Sequence, residues 1–295
     1  MGKIIVVTPP YHKKSAGVVM LHFLSHSLNT LGRRSSLLIL DPRDPTNQTF
    51  IFPDNELFMN AEYDTNCISN INQISDDDIV IYPEIIANNP LNLKKVVRYF
   101  LNKNGYITGK FIDRNSSEFN LSFSDIYLEN ADHKLFYPGI HLDNFPSDVS
   151  LQDKWLTLAV QYLGKGPKYQ QCPNIPGTLS LDSKERSEYE LLLRRAPLLL
   201  TYDPMSGVNI DAVLYGCQPV YLDKGPWTIE ELQNTELKVP YVELDSYQDI
   251  LKNFEHYYSE FLEKRKLFIN DIRLYQSMWP ENVKDFVQKC DVFFI

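Results

Sequence analysis

No stretch of about 18 or more apolar residues occurs in this 295-residue chain, so hydropathy gives no membrane-crossing helix. Gly2-Lys3 runs straight into the short segment IIVVT, with no charged-then-apolar leader, and no export signal is expected. Cysteine is scarce. Cys67, Cys172, Cys217 and Cys290 lie too far apart in sequence for a zinc knuckle or a redox dithiol, and they read as reduced, buried thiols of a cytosolic protein. Surplus positive charge is also lacking: 29 Lys and Arg face 38 Asp and Glu, a net charge of −9. That balance argues against a general electrostatic grip on nucleic acid, leaving only local basic clusters as a source of one. The dinucleotide fingerprint G-x-G-x-x-G is missing too, so Asp41, which ends the second expected strand where a ribose-binding acid would sit, counts for little.

What is present is material for cores: 43% hydrophobic and 13% aromatic residues, enough for one large domain or two of ordinary size. Strand-like and helix-like segments interleave. KIIVVT (3 to 8) is followed by a helix with Leu21, Leu24, Leu28 and Leu31 on one face and Gly32 at its end. SLLILD and IVIY (79 to 82) read as strands, LNLKKVVRYFLN (91 to 102) as a helix, and GKFI and KLFY as short strands. Residues 42 to 75 carry no clean period and read as an irregular excursion with one short hairpin. The loop PGIHLDNFPSD suits an interdomain crossing, after which the alternation restarts with LTLAVQYL (156 to 163), ERSEYELLLRRA, LLLTY, a helix over 207 to 215 stopped by Gly216, and PVYL. Asp182 to Glu185 and Thr228 to Glu231 both have capping-box spacing. Residues 246 to 273 read as helical, and the tail after Pro280 reads as a final helix with an apolar end that packs on protein. The pattern predicts α/β architecture with largely parallel, helix-covered sheets, divided into residues 1–148, 149–275 and a C-terminal helix over 276–295.

In such sheets ligands lie where strands pass into helices, and three junctions stand out. TPPYHKKSAGVV (8 to 19) offers Tyr11, His12 and a small-residue helix start at Ser15-Ala16-Gly17, where a ligand could approach free N–H groups. IVIYPEIIANNP places Glu84 directly after a strand, suited to accept a proton or hydrogen bond from a hydroxyl substrate, with Asn89 ahead of the next element. TYDPMSGVNIDAVLYGCQPVYL (201 to 222) frames a turn with Asp203 and Asp211, and Ser206-Gly207 open a helix whose dipole favours an anion. Carboxylates suit vicinal hydroxyls, so two of them around an anion hole suggest a ligand with phosphate in the middle and polyols at both ends, the shape of a nucleotide sugar. Asp76-Asp77-Asp78 holds a D-x-D pattern, but it precedes its strand and reads as a solvated turn.

The spacing Asp203-x7-Asp211, followed by Ala212 and Gly216-Cys217-Gln218-Pro219-Val220, resembles the E-x7-E signature of retaining GT-B glycosyltransferases, notably glycosyltransferase family four, with both glutamates shortened to aspartate. The small-residue loop near Gly17, the segment YLGKGPKY (162 to 169), SEYELLLRRAPLLLTYD and the apolar C-terminal helix resemble the family in order and spacing over nearly the whole chain. The resemblance implies two Rossmann-like domains facing each other across a cleft, an N-terminal acceptor side, and a C-terminal helix crossing back to the first domain. It implies donor binding by Asp203, Tyr202, Asn209 and Asp211, with the N–H groups of Ser206, Gly207 and Val208 on the diphosphate. Lys165 and Lys168 would neutralise that group as it leaves, Gly177 and Thr178 would border the base, and Gly17 would let its loop close. Tyr11, Glu84 and Asn89 would face the acceptor, with His12 and Glu84 the candidates for a general base and Asp203 at the transferred sugar. The implied activity is metal-independent sugar transfer from a nucleotide-activated donor to a hydroxyl acceptor, in glycan or surface polysaccharide synthesis. No cofactor is expected beyond the nucleotide sugar as co-substrate. The expected partners are a glycan, lipid-linked or protein acceptor and no nucleic acid, in the cytoplasm, with contact at the cytoplasmic membrane face if the acceptor is lipid-linked. Two alternatives stay open: a nucleotide-sugar epimerase of similar fold, and a non-catalytic sugar-nucleotide or protein-binding module.

Overall fold

Unbroken runs of Val, Ile and Leu build strands that are buried on both faces, the mark of a parallel sheet covered on both sides. The computed structural model of the chain describes residues 2–13, 15–52, 58–155, 159–168, 170–243 and 252–295. The chain forms two units, Met1–Gly139 with Tyr275–Ile295, and Ile140–Leu274. Both are Rossmann-like α/β units.

Among the described residues, the first unit holds β1 (Ile4–Thr8), α1 (Ala16–Thr30), β2 (Ser35–Leu40), β3 (Phe50–Ile51), β4 (Ile79–Pro83), β5 (Lys95–Phe100), β6 (Phe119–Ser122) and β7 (His133–Lys134). They form one sheet in the order β3-β2-β1-β4-β5-β6-β7, parallel throughout except for the β2–β3 pair. Alternate side chains feed two cores. Ile4, Val6, Leu37, Ile39, Ile81 and Val97 meet Leu21, Leu24 and Leu28 of α1. Ile5, Val7, Leu38, Val80 and Tyr82 meet Ile68, Ile86 and Leu93, which come from irregular connections. The excursion over 42 to 75 therefore includes sheet cover. Asp76 and Asp77 are exposed as a solvated turn requires, but Asp78 is 3% exposed, because its Oδ1 and Oδ2 accept from the N–H groups of Lys3 and Ser75, both at 2.9 Å.

The helix expected over 91 to 102 is instead β5. KVVRYF is β-branched and aromatic, and because Val96, Val97, Tyr99 and Phe100 are buried toward both faces, the run shows no period-2 alternation that would mark a strand. Arg98 is carried inside at 1% exposure, where its guanidinium donates to Glu118 at 3.0 and 3.1 Å and to the carbonyls of Ile86 and Asn88 at 2.8 Å. GKFI is likewise not a strand but part of a loop, and KLFY contributes only its first residue to β7.

The second unit holds β8 (Ala159–Tyr162), β9 (Thr178–Ser180), α2 (Arg186–Arg195), β10 (Leu198–Thr201), α3 (Gly207–Leu214), β11 (Gln218–Tyr221), α4 (Ile229–Gln233) and β12 (Val242–Glu243). The sheet order is β12-β11-β10-β8-β9, all parallel. Residues 156–158 of the first expected strand lie outside the described residues. The loop PGIHLDNFPSD belongs to this unit from Ile140 onward, with Phe145 packed on Tyr215 at 4.9 Å between ring centroids. The capping box at Thr228 forms, with bonds of 3.1 and 2.8 Å. The one expected at Asp182 does not: α2 has Glu185 as its N-cap, and Asp182 turns to a loop instead.

The two helices expected on either side of Pro280 are one, α5 (Phe254–Phe293); residues 246–251 lie outside the described residues. Proline inside a helix costs about 3 kcal/mol. Here Trp279, Val283, Phe286 and Cys290 are buried in the first unit's core, and burying such side chains at roughly 1.5–3 kcal/mol each outweighs that cost. Trp279 Nε1 also donates to Ser27 Oγ at 2.8 Å. No described helix is long and apolar enough to cross a membrane.

Candidate functional site

Three strands of the second sheet run into an aspartate: LSLD at Asp182, LTYD at Asp203 and VYLD at Asp223. Since the strands are parallel, all three acids gather at the carboxyl edge, where ligands of open α/β sheets bind. Two of them grip the loop that leaves the intervening strand β8. The N–H groups of Leu163 and Gly164 donate to Asp182 at 3.0 and 3.1 Å, and that of Lys165 donates to Asp203 Oδ2 at 3.0 Å. Gly164 has φ +53°, and a Cβ there would lie 2.6 Å from Asp203 Oδ2 and from Tyr162 Cε1, so only glycine fits. Tyr162 hydrogen-bonds the Ser206 side chain; burial raises its pKa, and the Asp203 and Asp182 charges push the same way. Among the described residues no three His, Cys, Asp or Glu side chains come together as a metal site.

The turn after β10 is tightly built. Asp203 is 4% exposed, and its carbonyl accepts from the Ser206 N–H at 3.1 Å and from Asn209 Nδ2 at 2.9 Å. Asn209 also donates to the Pro204 carbonyl at 2.8 Å, and Tyr221 Oη does so at 3.1 Å. Ser206 is the N-cap of α3, its Oγ accepting from the Val208 N–H at 3.3 Å, while Gly207 is exposed. The positive end of the α3 dipole thus opens beside Asp203. Further along α3, Asp211 accepts from Tyr189 Oη at 2.8 Å and Arg186 Nη1 at 3.3 Å, both from α2. Burial raises the Asp211 pKa and these two bonds oppose the shift.

The structure therefore brings Asp203, Ser206, Gly207, Val208, Asp211 and the Lys165 backbone into one neighbourhood. It assigns other work to several further residues. Asn209 is fully buried and staples the turn. Tyr202 is 9% exposed with Oη on the Pro173 carbonyl at 3.4 Å. Gly177 and Thr178 stand at the amino end of β9, away from the carboxyl edge, and Thr178 Oγ1 donates to the Ile175 carbonyl at 2.8 Å. The side chain of Lys168, and Tyr169, lie outside the described residues. Residues that sequence reasoning missed are Tyr162, Asp182, Arg186, Tyr189 and Asp223. Their one sequence signal is the threefold apolar-run-then-Asp pattern; the α2 partners of Asp211 carry none.

The other end of α3 is held by buried cations. Lys154 Nζ donates to the carbonyls of Leu193, Arg194 and Tyr215 at 3.3, 2.9 and 2.9 Å, and burial brings its pKa down to about 8. Arg265, 3% exposed, donates to the carbonyls of Pro146, Ser147, Val213 and Leu214 over 2.6 to 3.3 Å. Arg265→Ala strands those acceptors and is expected to cost about 3 kcal/mol or more in urea unfolding. Arg265→Lys, which lacks the planar fork, should recover only part of it.

In the first unit, β1, β4 and β5 end at a second neighbourhood. Glu84 is 6% exposed; its Oε2 accepts from the Leu101 N–H at 3.0 Å and its own N–H donates to the Tyr99 carbonyl at 3.1 Å. Burial pushes its pKa up to about 7. Gly17, in the first turn of α1, also adjoins Leu101: a Cβ there would lie 3.7 Å from Leu101 Cδ1, an ordinary contact that a side chain would tolerate. Tyr11 Oη accepts from Asn60 Nδ2 at 3.3 Å, and its ring stands edge-on to His22 at 5.2 Å. His12 is exposed. A buried histidine, His22, was unforeseen from the sequence: Nε2 donates to the Pro9 carbonyl at 3.1 Å, Nδ1 has no partner among the described residues, and burial brings its pKa down to about 4. Asn89 holds its own loop, accepting from Tyr82 Oη at 3.1 Å and donating to the Leu93 carbonyl at 2.7 Å.

No protein-family model matches the chain, and no curated protein matches it in sequence. Among solved structures it is similar to an alpha-glucosyltransferase in complex with UDP and a 13-mer DNA containing a HMU base, with 11% identity over 99% of both chains and a TM-score of 0.48. It is similar also to an alpha-glucosyltransferase in complex with UDP-glucose and DNA containing an abasic site, with 11% identity over 99% of both chains and a TM-score of 0.45. Both of those proteins are in complex with DNA, and the expectation that nucleic acid is excluded does not stand. Net charge is a sum over the whole chain and does not report on local patches. The expected glycan or polysaccharide acceptor has no counterpart in either description.

Proposed function

We propose that the chain is a glycosyltransferase whose second unit binds a nucleotide sugar and whose first unit presents a carboxyl to the acceptor hydroxyl. The observation that carries this reading is the meeting of Asp203, Ser206, Tyr162 and the Lys165 loop at the N-terminus of α3. In this reading the N–H groups of Ser206 to Val208 hold the diphosphate, Asp203 takes hydroxyls of the sugar, and Asp211 takes the ribose. Lys165 neutralises the departing diphosphate, the electrostatic contribution that most assists leaving, so a chelator should leave turnover unchanged. Glu84, whose carboxyl titrates near neutrality, is suited to receive a proton from the acceptor hydroxyl.

A thermal-shift panel of UDP, GDP, ADP, CMP and dTDP sugars tests the reading: one base should raise the unfolding temperature in a concentration-dependent way, and a flat response to all five would sink it. A second reading is a sugar-nucleotide-binding module without chemistry, favoured by the bonds that tie both Asp203 and Asp211 to the protein's own donors. Release of nucleoside diphosphate on adding a hydroxyl acceptor, either DNA containing a HMU base or a glycan, separates the two; stabilisation without release supports the module.

A further inference from the structure

The connection from β5 to β6 opens with a loop that a negatively charged protein has little reason to build. Its outer residues 107–111 are all exposed, with Phe111 79% and Ile107 52% exposed. The loop is not slack. Asn104 clamps both polar groups of Ile112, donating to the carbonyl at 2.8 Å and accepting from the N–H at 2.9 Å, and the Gly109 N–H donates to the Gly105 carbonyl at 2.8 Å. Gly105 has φ +78°, and a Cβ there would lie 3.3 Å from three carbons of the Phe111 ring. The turn is shaped to seat that ring while leaving most of it in water.

Residues 102–114, NKNGYITGKFIDR, carry three cations, Lys103, Lys110 and Arg114, against one acid, Asp113, in a chain of net charge −9. Arg114 is oriented by donating to the Glu129 carbonyl. Of the acids on the following elements, Glu118 is paired with Arg98 at 3.0 Å and Asp125 with Lys134 at 2.6 Å. The loop begins at Leu101, whose N–H is bonded to the Glu84 carboxylate.

We propose that this loop grips a nucleic-acid strand, with a base stacked on Phe111 and phosphates neutralised by Lys110 and its basic neighbours. A preorganised aromatic face interleaved with cations matches both recognition elements of a strand, the base plane and the backbone charge. A membrane surface fits less well. Two apolar side chains bury less than a single myristoyl chain, which itself binds only marginally. The proposal names the acceptor class and so rests on the reading of the first unit as the acceptor side; it is tested without any nucleotide sugar, so it can fail while the donor reading stands.

Fluorescence anisotropy of a labelled mixed-sequence oligonucleotide, single-stranded and duplex, is measured with the full chain across a salt series. Binding should weaken as salt rises, and the single strand should bind more tightly than the duplex. Phe111→Ala should weaken single-strand binding about tenfold with little change in salt dependence. Lys110→Glu should lower affinity and reduce the salt slope by about 1 or more. Both positions are exposed, and unchanged thermal unfolding of each variant verifies the fold. Absence of binding up to about 100 μM protein at low salt overturns the proposal, given ordinary non-specific affinities. So does binding that neither substitution alters. Sedimentation with vesicles containing phosphatidylserine that depends on Phe111, with no oligonucleotide binding, would assign the loop to membrane and overturn it as well.

Discussion

Asp203→Ala is expected to abolish nucleotide-sugar binding and to lower stability at the same time. From sequence alone the aspartate reads as a ligand-facing acid whose loss should leave unfolding nearly unchanged. The structure alters that expectation, because Oδ2 accepts from the Lys165 N–H at 3.0 Å in a side chain only 4% exposed. Removing the acceptor leaves a partly buried donor unpaired, at about 1–3 kcal/mol, or a fall of roughly 3–15 °C in Tm at about 3–5 °C per kcal/mol for a unit of this size. Asp203→Asn distinguishes the two roles. Its amide oxygen can still accept from Lys165, so Tm should stay within about 1–2 °C of wild type, while binding of the preferred nucleotide sugar in calorimetry should fall at least about tenfold through loss of a charged acceptor. A folded Asp203→Asn protein that binds the donor as the wild type does would end the assignment.

The second large effect is at Glu84. Its pKa is raised in the folded chain from 4.5 to about 7, so between those values the folded state holds a proton that the unfolded state has lost. Stability then falls as pH rises through this window and is fully reduced above about 7, by about 3 kcal/mol for a shift of this size. Glu84→Gln keeps an oxygen for the Leu101 N–H but has no charge to bury. Denaturation at pH 4.5, 6 and 8 should give a variant that matches the wild type at the lowest pH and exceeds it increasingly above. A constant difference across the three would show that Glu84 does not titrate in this range. If Glu84 also serves the acceptor hydroxyl, the more stable variant should be the less active one, a split that a purely structural role would not produce.

The α/β class was legible because long apolar runs alternate with helix-period segments, and the position of Asp203 and Asp211 at a strand-to-helix junction was legible from spacing. What misled was periodicity where burial is two-sided. VVRYF shows no strand alternation because both of its faces are covered, and the flanking Leu and Lys residues completed a false helical pattern. Pro280 signalled a break that packing of Trp279 and Val283 overrides. The site's inner partners were out of reach for another reason. Tyr189 and Arg186 stand 22 and 25 residues before Asp211, and only the docking of α2 against α3 brings them together. Asp182 looked like a cap because its spacing to Glu185 satisfies the motif; the N–H groups of Leu163 and Gly164 claimed it instead.

The cations at the far end of α3 change what its near end can do. An isolated helix acts on a ligand as a dipole, with the pull of the N-terminus partly cancelled by the opposite pole. In this protein the carbonyls of Val213, Leu214 and Tyr215 are covered by Arg265 and Lys154, so the cancelling pole is screened. Seen from Ser206, α3 then approximates a single positive charge, with a field that reaches farther than a dipole's. Because Lys154 titrates at about 8, the screening weakens in alkaline solution, and a short eight-residue helix becomes an anion attractor whose strength is set from its opposite end.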